Sequence, residues 1–269
     1  MAEAGASRAD GANPHAIVTR EGPLTIITLN RPEVLNALHG PAHHALSAIF
    51  DDFASDPGQW VAIVTGAGRG FCAGNDLKYQ AAGHVMERPP SGFAGLVARF
   101  DLDKPLIAAV NGVAMGGGFE IALACDIIIA SETARFALPE PRVGLAALAG
   151  GLHRLPRAIG LPRAMGMILT GRHVDAAEGR ELGFVNAVVP PESLLAEARR
   201  WAQMIIDCSP LAIRASKQIV LKGLERAALS EAIAAQRDLP ALAAMLSSED
   251  YRAGPLAFAE KRAPVWKGR

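Results

Sequence analysis

Over the first two thirds of the chain, short apolar runs alternate with helical stripes, and stripes alone fill the last third. Thr25-Ile26-Ile27-Thr28-Leu29, Val61-Ala62-Ile63-Val64 and Leu106-Ile107-Ala108-Ala109-Val110 are compact apolar runs, each bounded by Asn, Gly or Pro nearby, and read as buried strands. Pro41 suits the first position of a helix running to about Ser55, with Leu46, Ile49, Phe50 and Phe53 on one face. Residues 95–100 read as helical, and residues 127–129 and 135–137 as two more short strands. Residues 80–92 have no periodicity and contain Pro89-Pro90, so a mobile loop able to cover a ligand is expected there. From residue 191 onward only helical spacing is found, over 191–207, 210–226 and 230–247. In the first of these the stripe is Leu194, Leu195, Ala198, Trp201, Ile205 and Ile206.

This pattern predicts an α/β protein built as a coil of similar strand–strand–helix units rather than a doubly wound sheet. Three regions are expected: a loose tail over 1–14, a core over 15–190, and a helical region over 191–269. The helical stripes should bury themselves on the core or on another subunit.

Two of the strands run into glycine-rich turns that open helices. The first turn is Gly66-Ala67-Gly68-Arg69-Gly70-Phe71-Cys72-Ala73-Gly74-Asn75-Asp76-Leu77-Lys78. The second is Asn111-Gly112-Val113-Ala114-Met115-Gly116-Gly117-Gly118-Phe119-Glu120. A strand-to-helix junction leaves backbone N–H groups unpaired at the positive end of the helix dipole. Two such junctions converging on one oxygen can hold charge that develops on a carbonyl. Glu120 and Glu140 lie just downstream and could supply proton transfer.

Composition narrows the options. Half of the 269 residues are hydrophobic, 27 basic residues balance 27 acidic ones, and the formal net charge is zero. That neutrality argues against nucleic acid as the main partner. Cys72, Cys125 and Cys208 are few and far apart, which suits reduced thiols in a cytoplasmic protein. No apolar stretch is long enough for a membrane span, and the first 14 residues lack the apolar core of a signal peptide.

Other chemistries find no support. G-x-S-x-G, H-E-x-x-H and a Walker lysine are missing. His39 and His43 are spaced by one helical turn, but Gly40-Pro41 intervenes and no carboxylate completes a ligand set, so no metal is expected. Gly68-x-Gly70-x-x-Ala73 matches a dinucleotide fingerprint formally, without the second strand ending in an acidic residue that such a site needs.

The stretches Gly70–Lys78, Lys104-Pro105 through Asp126, and Arg135-Phe136-Ala137-Leu138-Pro139-Glu140 closely resemble the enoyl-CoA hydratase/isomerase (crotonase) superfamily. Leu29–Leu38 and residues 170–186 fit the same pattern, so the resemblance covers about residues 16–265. It implies a spiral of ββα turns followed by a helical trimerisation region, assembled as a homotrimer or hexamer. It further implies a coenzyme A thioester as substrate, with no separate cofactor, while the zero net charge and the lack of a long apolar stretch argue for no nucleic acid and no membrane partner. The oxyanion-hole amides map by resemblance to Ala73 and Gly117. Ala73, Gly74, Asn75, Asp76, Leu77 and Lys78 would line the CoA site, and the two hydratase glutamates fall on Glu120 and Glu140.

By resemblance Glu120 would activate water and Glu140 would protonate the α-carbon of a 2-enoyl-CoA. Two departures stand out. The turn after the second glutamate reads Ala147-Leu148-Ala149-Gly150-Gly151, and Leu148 should reshape the acyl pocket. Phe119 and Asn75 also differ from the commonest residues of the family. A 2-enoyl-CoA hydratase is the leading expectation. The alternatives are a dehydratase or isomerase on a carnitinyl-like or aromatic acyl-CoA, and a catalytically idle CoA- or RNA-binding relative.

Overall fold

The structure, a computed structural model, describes residues 8–9 and 14–269. The tail expected over 1–14 lies outside the described residues, apart from Pro14 and the two-residue strand at Arg8–Ala9. Eleven strands are described: β1 (Arg8–Ala9), β2 (Ala16–Glu21), β3 (Leu24–Leu29), β4 (Val61–Gly66), β5 (Gly70–Cys72), β6 (Leu106–Val110), β7 (Val113–Met115), β8 (Ile127–Ser131), β9 (Arg135–Ala137), β10 (Val174–Asp175) and β11 (Ala187–Val189). The helices are α1 (Gly40–Ser55), α2 (Leu77–Ala81), α3 (Gly117–Ala124), α4 (Gly151–Ile159), α5 (Leu161–Thr170) and α6 (Ala176–Leu182). They continue with α7 (Leu194–Ile206), α8 (Pro210–Gly223), α9 (Leu229–Ala235), α10 (Pro240–Ser247) and α11 (Glu249–Ala259).

Two sheets form. The larger has the order β1-β2-β3-β4-β6-β8-β11 and is parallel from β3 onward; the smaller has the order β10-β9-β7-β5. Each turn of the coil gives one strand to each sheet: β4 and β5, then β6 and β7, then β8 and β9. The expected ββα spiral is therefore present, and the first glycine loop contains β5 rather than being all turn.

Alternation of side chains explains why both faces of the large sheet are buried. In β4, Ala62 and Val64 face one hydrophobic cluster while Val61 and Ile63 face another. β6 divides likewise, with Leu106, Ala108 and Val110 on the first side and Ile107 and Ala109 on the second. The first cluster takes in Leu46, Phe50 and Phe53 of α1 and the ring group Phe119, Phe136 and Phe184, whose centroids lie 5.1–5.3 Å apart. The second is closed by Leu194, Ala198 and Ala202 of α7, with Trp201 packed alongside. Apart from exposed Leu195, the stripe of α7 thus covers this chain's own sheet.

Two expectations need correction. Residues 95–100 are not a helix: only a single 3-10 turn, Phe93–Gly95, precedes irregular chain. Ala94 and Gly95 both have left-handed backbone, with φ of 56° and 62°, which no right-handed helix accommodates. The segment 230–247 is broken into α9, a 3-10 turn and α10, because Leu239 before Pro240 is extended. The chain after 247 adds α11, capped by the Ser248 hydroxyl, which accepts from the Tyr251 N–H. No helix among the described residues is long and apolar enough to cross a membrane.

Candidate active site

The two glycine turns meet edge to edge. After β5, the Leu38 N–H donates to the Gly74 carbonyl at 2.8 Å, and the Asp76 N–H donates to the Leu38 carbonyl at 2.9 Å. This is a parallel bridge between Leu38 and Asn75. In such a bridge the residue between the two bonded peptides turns its own N–H to the opposite side. The Asn75 N–H therefore points away from Leu38 and has no acceptor among the described residues. Gly74 makes the close approach possible: its φ is +90°, and a Cβ there would lie 2.6 Å from the Met115 carbonyl oxygen and 3.1 Å from the Gly117 nitrogen. Gly117 is the first residue of α3, so its N–H has no partner within the helix.

The position of the first donor differs from the sequence expectation. The Ala73 N–H donates to the Leu35 carbonyl at 2.9 Å and is committed to the fold. The free amide next to Gly74, where this loop approaches Gly117, belongs to Asn75, two residues on. Only the pairing with Leu35 and Leu38 decides which amide is free.

Glu120 sits in the first turn of α3, one helical turn after Gly117, and is buried. Its Oε1 accepts from the Gly151 N–H at 2.8 Å. Burial pushes its pKa up to about 7, and the charge of Glu140 adds to the rise. The Gly151 and Ala149 amides and the charge of Arg88 oppose it. Glu140 follows β9 at the start of a 3-10 turn, Glu140–Val143. Its carboxyl group lies against Gly116, where a Cβ would come within 2.7 Å of Oε1. Gly116 also has φ +53°, a backbone conformation that favours glycine, and a side chain there would displace the Glu140 carboxyl group. Glu140 Oε2 is buried with no hydrogen-bond partner. Burial raises this carboxyl's pKa too, opposed by its own backbone N–H. The second glycine turn thus carries one carboxyl group in its helix and seats the other on its backbone.

The remaining expected site residues divide. Asp76 is committed to structure: it caps α2 by accepting from the Tyr79 N–H at 3.1 Å and pairs with Arg31 at 3.0 Å. The Asn75 side chain donates to Gln80 at 2.8 Å, while its Oδ1 is buried without a partner. Leu77 and Lys78 are exposed on α2. Leu148 is 79% exposed, between buried Ala147 and Ala149. The wall beside Glu120 is made instead by the backbone of 149–151, because the two alanines face inward and turn Leu148 out.

His43 is a residue whose role sequence reading missed. Its Nδ1 accepts from the Ala94 N–H at 3.0 Å, and its ring packs on Phe93 with centroids 4.5 Å apart. Burial drives its pKa down to about 3, helped by the charges of Arg88, His39 and His44. A neutral ring accepting at Nδ1 carries its proton on Nε2. His43 thereby pins the left-handed Ala94 turn and sets Phe93 against Gly117, where a Cβ would fall 2.4 Å from the ring. Among the described residues no group of histidine, cysteine or acidic side chains could hold a metal ion.

The sequence profile of the enoyl-CoA hydratase/isomerase family matches residues 19–269. A carnitinyl-CoA dehydratase of Salmonella typhi is 46% identical over 257 residues, spanning 94% of this chain and 98% of that protein. The carnitinyl-CoA dehydratase of Citrobacter koseri is 45% identical over 256 residues, spanning 93% and 97%. Among solved structures, an enoyl-CoA hydratase from Mycobacterium tuberculosis H37Rv superposes with a TM-score of 0.89 at 38% identity, covering 96% of this chain and all of that one. An enoyl-CoA hydratase from Bacillus anthracis gives a TM-score of 0.84 at 35% identity, covering 98% and 99%. With the spiral fold, the facing glycine turns and these matches over nearly its whole length, the chain belongs to the enoyl-CoA hydratase/isomerase family.

Proposed function

We propose that the chain is an acyl-CoA hydro-lyase that adds water reversibly across the α,β double bond of a 2-enoyl-CoA thioester. The observation that carries this reading is a pair of carboxyl groups, Glu120 buried and Glu140 half-buried, both with raised pKa, beside two backbone amides unpaired among the described residues. The thioester oxygen accepts from the N–H groups of Asn75 and Gly117, which stabilise the enolate charge as it develops. Glu120 removes a proton from water while Glu140 delivers one to the α-carbon, and the reverse reaction exchanges the roles. Two carboxyl groups that discourage each other's ionisation are suited to hold one proton between them near neutral pH. Coenzyme A enters as part of the substrate along 74–78, with Leu77 and Lys78 on the nucleotide side. Leu148, exposed in the isolated chain, reaches the acyl group only if ligand or assembly moves it.

The names of the relatives favour dehydration of a β-hydroxyacyl-CoA as the direction used, which is the same chemistry run backwards. A double-bond isomerase needs only one carboxyl base, and an idle CoA- or RNA-binding relative needs none, so two carboxyl groups with raised pKa favour the hydro-lyase. A screen following loss of enoyl-thioester absorbance should reveal turnover of at least one acyl-CoA. Binding without turnover across neutral, charged and aromatic acyl groups would sink the reading.

Assembly is part of the proposal. Leu161, Leu169, Val220, Leu224, Leu229 and Phe258 leave more than half of their surface exposed on the helices of the second half of the chain. That apolar area suits a homotrimer or hexamer. Light scattering at micromolar concentration should give a multiple of three chains; a monomer mass would refute it.

A further inference from the structure

The mouth of the site carries two guanidinium groups, each seated on an aromatic ring. Arg88, from the irregular segment after α2, lies 5.5 Å from the centroid of Phe93. Phe93 is the ring packed on Gly117, one turn of helix before Glu120. Arg154 of α4 lies 5.9 Å from the centroid of Phe100 and donates to the Val97 carbonyl at 2.6 Å. Its other guanidinium nitrogen comes within 2.1 Å of where a Cβ on Gly150 would stand, next to the Gly151 amide that holds Glu120. Among the described residues neither arginine has a carboxylate ion-pair partner. Arg88 is exposed and makes no hydrogen bond among the described residues.

These contacts bear on what the acyl group can be. A quaternary ammonium is recognised by bare aromatic faces or by carboxylates. Here each of the two rings, buried Phe93 and largely exposed Phe100, already has a cation of the protein over it, which disfavours a second cation there. Of the carboxyl groups near these arginines, Glu120 and Glu140 are used by the chemistry, and Glu87, next to Arg88 in the chain, lies 4.0 Å from the His44 ring. A guanidinium with free donors is instead matched to a carboxylate, which it can grip with two parallel hydrogen bonds.

We propose that Arg88 is a specificity residue that selects acyl-CoA substrates carrying a carboxylate at the far end of the acyl group, with Arg154 adding to the positive field. This rests on the hydro-lyase reading for the chemistry, and it separates this chain from the cationic substrate that the names of its relatives would suggest.

Binding and turnover test it separately. Butyryl-CoA, glutaryl-CoA and γ-trimethylammoniobutyryl-CoA are unreactive saturated probes whose Kd values can be measured by calorimetry on the wild type and on Arg88→Gln. Glutaryl-CoA should bind the wild type at least about tenfold more tightly than the trimethylammonio probe, the scale of one charge-assisted hydrogen bond. In Arg88→Gln the two should come within about threefold of each other. Turnover is then followed on crotonyl-CoA and on its γ-carboxylated and γ-trimethylammonio forms. Equal or tighter binding of the cationic probe by the wild type overturns the proposal. So does a carboxylate preference that Arg88→Gln leaves intact. A carboxylate preference in binding with no turnover of any of the three enoyl thioesters would sustain Arg88 as the selector and remove the hydro-lyase reading.

Discussion

Replacing Glu120 by Gln, and separately Glu140 by Gln, should lower kcat on a 2-enoyl-CoA by about 10²-fold or more, the usual scale for a positioned acid or base. Glutamine keeps the side chain's size and can still accept at Oε1, so the Gly151 N–H bond to residue 120 has a partner in the variant. What is lost is the exchangeable carboxyl proton. The Kd for a saturated acyl-CoA should change far less, because the thioester oxygen is held by main-chain donors that neither substitution touches. The double variant should lose less than the product of the single losses, since the two carboxyl groups act on one proton inventory. Damage from Glu140→Gln alone would favour a double-bond isomerase. Full activity in both single variants would exclude carboxyl chemistry altogether.

The same substitution at Glu120 should make the protein more stable in mild alkali. The folded pKa of about 7 lies above the ordinary 4.5 of an exposed glutamate. A raised folded pKa means the native state binds the proton more tightly than the unfolded chain does. The native advantage is complete below about pH 4.5 and is lost as pH rises through 7. A rise from 4.5 to about 7, at about 1.4 kcal/mol per pH unit, corresponds to roughly 3 kcal/mol. At pH 8 the wild type holds a buried carboxylate that Glu120→Gln does not. The variant's denaturation midpoint should therefore exceed the wild type's at pH 8 and converge with it near pH 5. Parallel midpoints across that range would show that Glu120 ionises as an ordinary exposed carboxyl group.

The parts of the fold that depend on local pattern were legible in the sequence. The apolar runs of β3, β4 and β6 and the Phe50–Phe53 face of α1 follow from spacing alone, because each is buried by its neighbours in the coil. Glu120 and Glu140 were visible as chemistry once the glycine turns were read together. What escaped depends on contacts between distant segments. Residues 95–100 have helical composition, but His43 holds Ala94 in left-handed backbone from 51 positions away. The free amide falls on Asn75 because Leu35 claims Ala73, a pairing that no local pattern announces. Leu148 was expected in the acyl pocket, yet its two alanine neighbours take the buried positions. Arg88 had no motif around it, and its place at the mouth emerges only from the ring beneath it.

The bridge between Leu38 and Asn75 also bears on how such a protein can drift through sequence space. An amide aimed by a backbone ladder is present whatever side chain follows it. Asparagine at position 75 therefore leaves the donor intact while its own side chain is occupied with Gln80. Point mutation at that position can alter the rim without deleting the donor, whereas a one-residue insertion between Leu38 and the start of α1 threatens the register that aims it. Side chains at the mouth, Arg88 among them, carry no such constraint. New substrates can thus be acquired by single substitutions there, under unchanged chemistry, and that separation lets one fold pass through many acyl groups without an inactive intermediate.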